Sequence, residues 1–324
     1  MGLLGTVLSL AGGLSLFLFG MSLMGEGLEK RAGDSMRILL EKLTANHFLG
    51  LLVGLAVTAL VQSSSAVTVM TVGFVNAGLM TLRQSVGIIM GANIGTTVTS
   101  WLLGLTQLEG SGFFLALLKP SGFTPILSVF GIVWYLFSKK DQKRYTGLIF
   151  LGFSVLIVGM DVMTSAMKPL AELPGFQQAF LLFSNPLIGV LTGAILTAIL
   201  QSSSASVGIL QALSGAGQVS FGAAIPLVMG QNIGTCVTSL ISSVGAEKNA
   251  KRTAMVHLYF NLLGTAILLI PYLFLSRLLI GDFWGTSVTA FDIAMIHTCF
   301  NLISTVILFP LSGLLERLAV LTVR

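Results

Sequence analysis

Polar positions interrupt this chain so rarely that its organisation is read from the lengths of its apolar runs. Residues 3–25, 121–137, 147–166, 253–275 and 290–311 are almost continuously hydrophobic. A helix needs about 20 mostly apolar residues to cross a bilayer core, so each run predicts one span. Residues 85–105 and 223–244 are long enough too, but Gly-Ala-Asn-Ile-Gly and Gly-Gln-Asn-Ile-Gly stand in their middles. Those two predict spans whose helix is broken at mid-membrane. Residues 48–79 and 187–217 are longer still and are divided by Gln-Ser-Ser-Ser. Each half is too short to cross, which predicts re-entrant hairpins that enter and leave on one side. Between 26 and 46 charges recur at intervals, with Ile38, Leu39, Leu40 and Leu43 on the apolar side. That pattern predicts an amphipathic helix at the membrane surface, read as a connector.

The resulting layout has seven spans and two hairpins, with the N-terminus outside and the C-terminus in the cytoplasm. Basic residues test it. One side receives Lys30, Arg31, Arg37, Lys42, Arg83, Lys139, Lys140, Lys143, Arg144, Lys248, Lys251, Arg252, Arg317 and Arg324; the other receives Lys119, Lys168 and Arg277. The positive-inside bias assigns the 14-residue side, against 3, to the cytoplasm. Reading either hairpin as two full spans would swap later loops and degrade the asymmetry.

Composition narrows the class. The 324 residues are 54% hydrophobic and 9% charged, against about 25% charged in soluble domains. A water-soluble, disordered or nucleic-acid-binding chain is excluded, despite a sequence pI near 9.4. Cys236 and Cys299 lie in apolar segments, so no disulfide framework is expected. The first apolar run continues to about Leu28 and has no basic segment before it, unlike a cleavable signal. Enzyme readings are weak. His47, His257 and His297 are the only histidines, a serine nucleophile would need one nearby, and no Walker sequence or metal-ligand cluster occurs.

The most informative feature is self-similarity at a constant offset of 139 residues. Gln62-Ser63-Ser64-Ser65-Ala66 returns as Gln201-Ser202-Ser203-Ser204-Ala205. Met90-Gly-Ala-Asn93-Ile-Gly-Thr96 returns as Met229-Gly-Gln-Asn232-Ile-Gly-Thr235, and Gly20-Met21 as Gly159-Met160. The units are residues 1–138 and 147–275, with a further C-terminal span at 290–313. Each unit holds an odd number of spans, so tandem copies take opposite orientations. Inverted repeats with paired broken helices are an architecture of secondary transporters. The expected fold is therefore an all-α polytopic membrane protein of two inverted-topology repeats. A smaller echo links Ala254-Met-Val-His257 and Phe260-Asn261 with Ala294-Met-Ile-His297 and Phe300-Asn301.

At each Gln-Ser-Ser-Ser turn a second half-helix begins. Its unpaired N–H groups, the serine hydroxyls and the Gln amide form a hydrogen-bonding cup, and the helix dipole adds attraction for an anion. Freed carbonyls and Gln, Ser and Thr oxygens suit a small hard cation. Asn93, Thr96 and Thr99, with Asn232, Thr235 and Thr238, are the candidate facing groups. The competing reading is that small polar residues here serve helix packing; the matched pairing of motifs favours binding. Asp161, the one carboxylate well inside a span, is a candidate ion ligand or proton carrier. His257 and His297 are read as packing and hydrogen-bonding elements, and Cys236 as a space-filler.

With these motifs, the chain resembles the type II sodium–phosphate cotransporter family, including its bacterial members. The resemblance covers about residues 1–275. It implies sodium-coupled transport of inorganic phosphate in a bacterial inner membrane, with sodium as coupling ion and no cofactor. It also implies that Ser63, Ser64, Ser65, Ser202, Ser203 and Ser204 hold phosphate. Gln62, Gln201, Asn93, Thr96 and Asn232 join that substrate set, while Gln201, Ser202, Thr235 and Thr238 match positions used for sodium. The large extracellular loop of animal members and the appended phosphate-regulatory domain of many bacterial ones are absent from the sequence. The alternatives are another oxyanion, phosphate export, or a non-transporting phosphate sensor. Partners are the lipid bilayer and, as one arrangement, a second copy in a homodimer.

Overall fold

A computed structural model describes residues 3–32, 46–105, 120–171, 173, 182–183, 185–217, 219–278 and 282–324. Among them are twelve α-helices. In chain order they are α1 (Leu3–Ala32), α2 (His47–Val61), α3 (Ser64–Asn76), α4 (Leu82–Gly104), α5 (Pro120–Phe137) and α6 (Asp141–Ala171). Then follow α7 (Pro186–Leu200), α8 (Ser203–Ser214), α9 (Phe221–Ser242), α10 (Lys248–Leu278), α11 (Ala290–Leu308) and α12 (Ser312–Thr322). Within α1, α4, α6, α9, α10 and α11 lie six stretches long and apolar enough to cross a membrane. The expected span at 121–137 appears as α5, which is shorter than those six.

Two boundaries differ from the sequence reading. The first helix runs on to Ala32, so its charged last turn, with Lys30 paired to Glu26, continues the span instead of opening a separate surface helix. The remainder of that expected amphipathic segment, 33–45, lies outside the described residues.

The second difference is a correction. Helices α4 and α9 are continuous through Gly-Ala-Asn-Ile-Gly and Gly-Gln-Asn-Ile-Gly. Their polar side chains do not need a break, because they bond within the helix. Asn93 and Asn232 donate their amides to Ile89 O and Val228 O at 2.8 Å, and Thr96 and Thr235 donate to Ala92 O and Gln231 O at 2.9 Å. The glycines instead admit a neighbour. A methyl on Gly91 would collide with the Leu51 carbonyl, and one on Gly95 would lie 2.7 Å from Thr58 Cβ. At the matched positions Gly230 meets Val190 O, and Gly234 would lie 2.7 Å from Thr197 Cβ. Close backbone approach of this kind is how membrane helices gain packing energy without a hydrophobic driving force.

These contacts fix direction. Residues 47, 51 and 55 of α2 meet 87, 91 and 95 of α4, so the two helices run parallel and begin at one end. Helix α3 ends at Asn76, a short link before α4 begins at Leu82, so its end returns to the end where α2 starts. Helices α7, α8 and α9 repeat the arrangement, with 190 and 194 against 230 and 234.

Helices α1 and α6 cross antiparallel through reciprocal contacts. A methyl on Gly20 would strike the Leu156 backbone and one on Gly159 the Phe17 backbone; Gly152 meets Met24 and Gly13 meets Met163. Positions 13 and 152, 17 and 156, 20 and 159, and 24 and 163 all differ by the repeat offset. The ring of Phe17, fully buried, also presses on Gly208 of α8 and ties this pair to the centre.

Basic residues gather at one end. Arg31 bonds Thr146 near the start of α6, Arg83 Nε donates to His47 Nε2 at 3.1 Å, and Arg252 Nε donates to Val323 O at 3.0 Å. The Glu247 N–H donates to Asn76 Oδ1 at 2.8 Å, placing the end of α3 beside the start of α10.

Candidate functional site

Both Gln-Ser-Ser-Ser segments are sharp helix–turn–helix breaks, as their composition predicts. Helix α2 ends at Val61, and Gln62 takes the left-handed region at φ 59°, its N–H still donating to Thr58 O. Ser63 is extended (φ −143°, ψ 97°) and its Oγ accepts from Ala66 N at 3.2 Å, which caps α3. The second turn is a near copy. Gln201 sits at φ 53°, and Ser202 (φ −146°, ψ 111°) accepts from Ala205 N at 3.2 Å. Among the described residues these two glutamines are the non-glycine positions with positive φ. Such a conformation costs an L-residue about 1–2 kcal/mol. Finding the same strain twice at the matched position of a repeat points to function.

Each turn joins a helix C-terminus to a helix N-terminus. With Ser63 and Ser202 as caps, the N–H groups of Ser64, Ser65, Ser203 and Ser204 lie in first turns and have no intrahelical acceptor. Ser64, Ser203 and Ser204 are buried, Ser63, Ser65 and Ser202 half-buried, and Gln201 exposed. The two turns touch. Ser65 Oγ donates to the Gln201 carbonyl at 3.4 Å, and Thr238 Oγ1 of α9 donates to the same oxygen at 3.5 Å. Two positive helix ends and two negative ones therefore converge between the units.

The structure thus brings together Ser65, Gln201 and Thr238, with Gln62, Ser63, Ser64, Ser202, Ser203 and Ser204 on the same two turns. Asn93, Thr96, Asn232 and Thr235 are buried on α4 and α9 and bond their own helices, so none of their hydrogen bonds reaches a turn. Their remaining oxygen lone pairs still accept. Gln62 Nε2 is committed to Ala59 O. Asp161 lines a groove of about 460 Å³ with Thr6, Ser9 and Ser165, formed by α1 and α6 and not by the turns.

Sequence reasoning missed one pair of contacts. Ser100 Oγ bonds His297 Nδ1 at 2.7 Å, and Ser239 Oγ bonds His257 Nδ1 at 3.0 Å; all four are buried. Ser100 and Ser239 are related by the same 139-residue offset, so α11 packs on α4 as α10 packs on α9. The His-containing echo carried the signal. The histidines bond between helices, as expected, and Asn261 Nδ2 bonds Cys236 Sγ at 3.3 Å in a fully buried setting. No cluster of three or more His, Cys, Asp or Glu suited to a metal occurs among the described residues.

A chain of apolar helices with two matched polar turns fits a membrane transporter, and comparison with known families agrees. The Na+/Pi-cotransporter family matches residues 16–165 and 174–309. This chain belongs to that family, a transporter family and not an enzyme family. "Uncharacterized protein YqeW" of Bacillus subtilis is 30% identical over 258 residues, covering 79% of each chain. "Putative inorganic phosphate export protein YjbB" of Escherichia coli (strain K12) is 28% identical over 265 residues. That match takes in 82% of this chain but 46% of YjbB, so the chain spans about half of that relative. The human "Sodium-dependent phosphate transport protein 2B" is 32% identical over 163 residues, 45% of this chain and 23% of that protein. No solved structure matches the chain at a significant level.

Proposed function

We propose that this protein is a sodium-coupled carrier of inorganic phosphate that works by alternating access between two inverted-topology repeats. The observation that carries the reading is the meeting of the twin turns, Ser65 Oγ on the Gln201 carbonyl. Phosphate binds at the first-turn N–H groups and hydroxyls of Ser63–Ser65 and Ser202–Ser204, where helix N-termini favour an anion. Sodium takes the carbonyl side, at Gln201, Ser202, Thr235 and Thr238, where half-helix C-termini favour a cation. The core supplies dipoles and almost no fixed charge, so the ions neutralise one another and each binds better with the other present.

The antiparallel, reciprocal crossing of α1 and α6 supports the inversion. The re-entrant reading of the paired half-helices draws on their lengths. Helices of 15 and 13 residues reach roughly 20 Å, short of a hydrocarbon core of about 30 Å. The basic end faces the cytoplasm, which puts the N-terminus outside and the C-terminus inside a bacterial inner membrane. The His–Ser pairs favour grouping α11 with the first unit.

The test is sodium-dependent uptake of labelled phosphate into proteoliposomes, lost when Ser64 and Ser65 or Ser203 and Ser204 become Ala. Equal uptake in potassium and sodium buffers would refute the coupling. Export is the second reading, favoured by the name of the Escherichia coli relative. Cells preloaded with phosphate and releasing it through this protein against the sodium gradient would establish it.

A further inference from the structure

Buried hydroxyls on α3 and α4 mostly donate to a carbonyl three or four residues back in their own helix. Thr68, Thr71, Ser85, Thr96 and Thr97 all do so. Thr58 and Thr99 do not. Their Oγ1 atoms are buried without a hydrogen-bond partner, and so is Gln62 Oε1. Thr58 is 0% and Thr99 2% exposed. A buried polar atom left unpaired in a folded protein calls for an explanation, and a bound ion is one of the few available.

The three residues lie along one seam. Thr58 of α2 abuts Gly95 of the parallel helix α4. Thr99 lies four residues beyond Gly95, about one helical turn along α4, and Gln62 follows α2 as its C-cap, four residues beyond Thr58. The seam ends at the C-terminus of α2, which carries the negative end of the helix dipole; Gln62 occupies Thr58 O and Ala59 O, which leaves Leu60 and Val61 as the carbonyls without an intrahelical donor. Gln62 spends its amide nitrogen on Ala59 O, so the group left over is its carbonyl oxygen, an acceptor only. The threonine hydroxyls can donate or accept, but the Gln62 oxygen and the backbone carbonyls beside them only accept, which favours a cation over an anion. Hydroxyl and amide oxygens without a carboxylate suit a monovalent hard cation better than a divalent one, which draws on ligand charge.

We propose that Thr58, Gln62 and Thr99, with the terminal carbonyls of α2, form a sodium site in the first unit. It is separate from the Gln201–Thr238 set of the second unit. It is not a plain copy of that set, because Thr238 Oγ1 is bonded to Gln201 O whereas Thr99 Oγ1 has no partner. The identity of the ion rests on the transport reading above.

Two measurements on the purified full chain test this. One is the shift in heat-unfolding midpoint on titration with sodium chloride against choline chloride, without phosphate. The other is the Hill coefficient for sodium activation of phosphate uptake. Thr58→Val and Thr99→Val, which keep the side-chain shape, should each raise the half-saturating sodium concentration about tenfold or more and lower the Hill coefficient toward one. Thr99→Ser, which restores the oxygen, should return both toward wild type. Thr71→Val, which removes a partnered hydroxyl, should change neither. Wild-type sodium dependence in both valine variants would overturn the site and leave a trapped water as the filling. A wild-type protein that ignores sodium in both assays would overturn the coupling reading itself, a different failure that the same data distinguish.

Discussion

The closest backbone approaches make the sharpest quantitative prediction. Gly91→Ala would place a methyl against the Leu51 carbonyl oxygen, and Gly230→Ala would do the same at Val190. Neither obstacle is the flexible end of a side chain, so relief requires the helices to part by roughly 1 Å. A gap of that size forfeits about a quarter to a half of each dispersion contact along the seam. Overpacking a well-packed interface costs about 1–3 kcal/mol, and two rigid backbones place these sites at the upper end. The gain in helix propensity from Gly to Ala is about 1 kcal/mol, leaving a net loss of about 2 kcal/mol. Gly73→Ala is the internal control. It lies within α3 with nothing inside 4 Å of the added methyl, so it should keep the propensity gain of about 0.5–1 kcal/mol. Heat unfolding in detergent, followed by size-exclusion fluorescence, reads the difference. The midpoint should fall by roughly 5 °C for Gly91→Ala and Gly230→Ala, and hold or rise slightly for Gly73→Ala. Uptake should fall with Gly91→Ala as well, because moving α2 displaces the Gln62 turn at its end. Equal midpoints for Gly91→Ala and Gly73→Ala would refute the assignment of these glycines to close packing.

Gln62→Gly and Gln201→Gly relieve a left-handed backbone, so each should raise the unfolding midpoint while transport falls, a separation of stability from activity. Ser63→Ala and Ser202→Ala remove helix caps and should cost about 1 kcal/mol, whereas Ser63→Gly should cost a few tenths; chemical unfolding compares them. Ser100→Ala leaves His297 Nδ1 without its partner and should cost about 1–3 kcal/mol, and adding His297→Phe should recover part of it in a double-mutant cycle. Asp161→Asn should leave the sodium dependence of phosphate uptake unchanged, since Asp161 lines the α1–α6 groove.

Much of this was legible because the repeat is written in residues whose chemistry is local. A run of apolar residues specifies a helix in lipid wherever it packs. Gln-Ser-Ser-Ser specifies a break because serine caps a helix by bonding its own first turn. The breaks at Gln62 and Gln201 were read correctly for that reason. The expected breaks at Asn93 and Asn232 were not. Asn-Ile-Gly-Thr looks like a helix breaker in isolation, yet Asn93 and Thr96 bond carbonyls four residues back while Gly91 and Gly95 accept a neighbouring backbone.

The sequence alone determined the repeated motifs, their constant offset and the two polar turns, since each depends on residue type and spacing along the chain. Only the tertiary structure decided what those residues touch. It showed that the glycines of α4 and α9 are contact surfaces, that Ser65 meets Gln201, that His297 belongs with Ser100, and that Thr58 and Thr99 are left without partners. A hydroxyl's chemistry is the same in either setting. Whether it is spent inside its own helix or offered to another group depends on which helix lies beside it, and no local pattern encodes that.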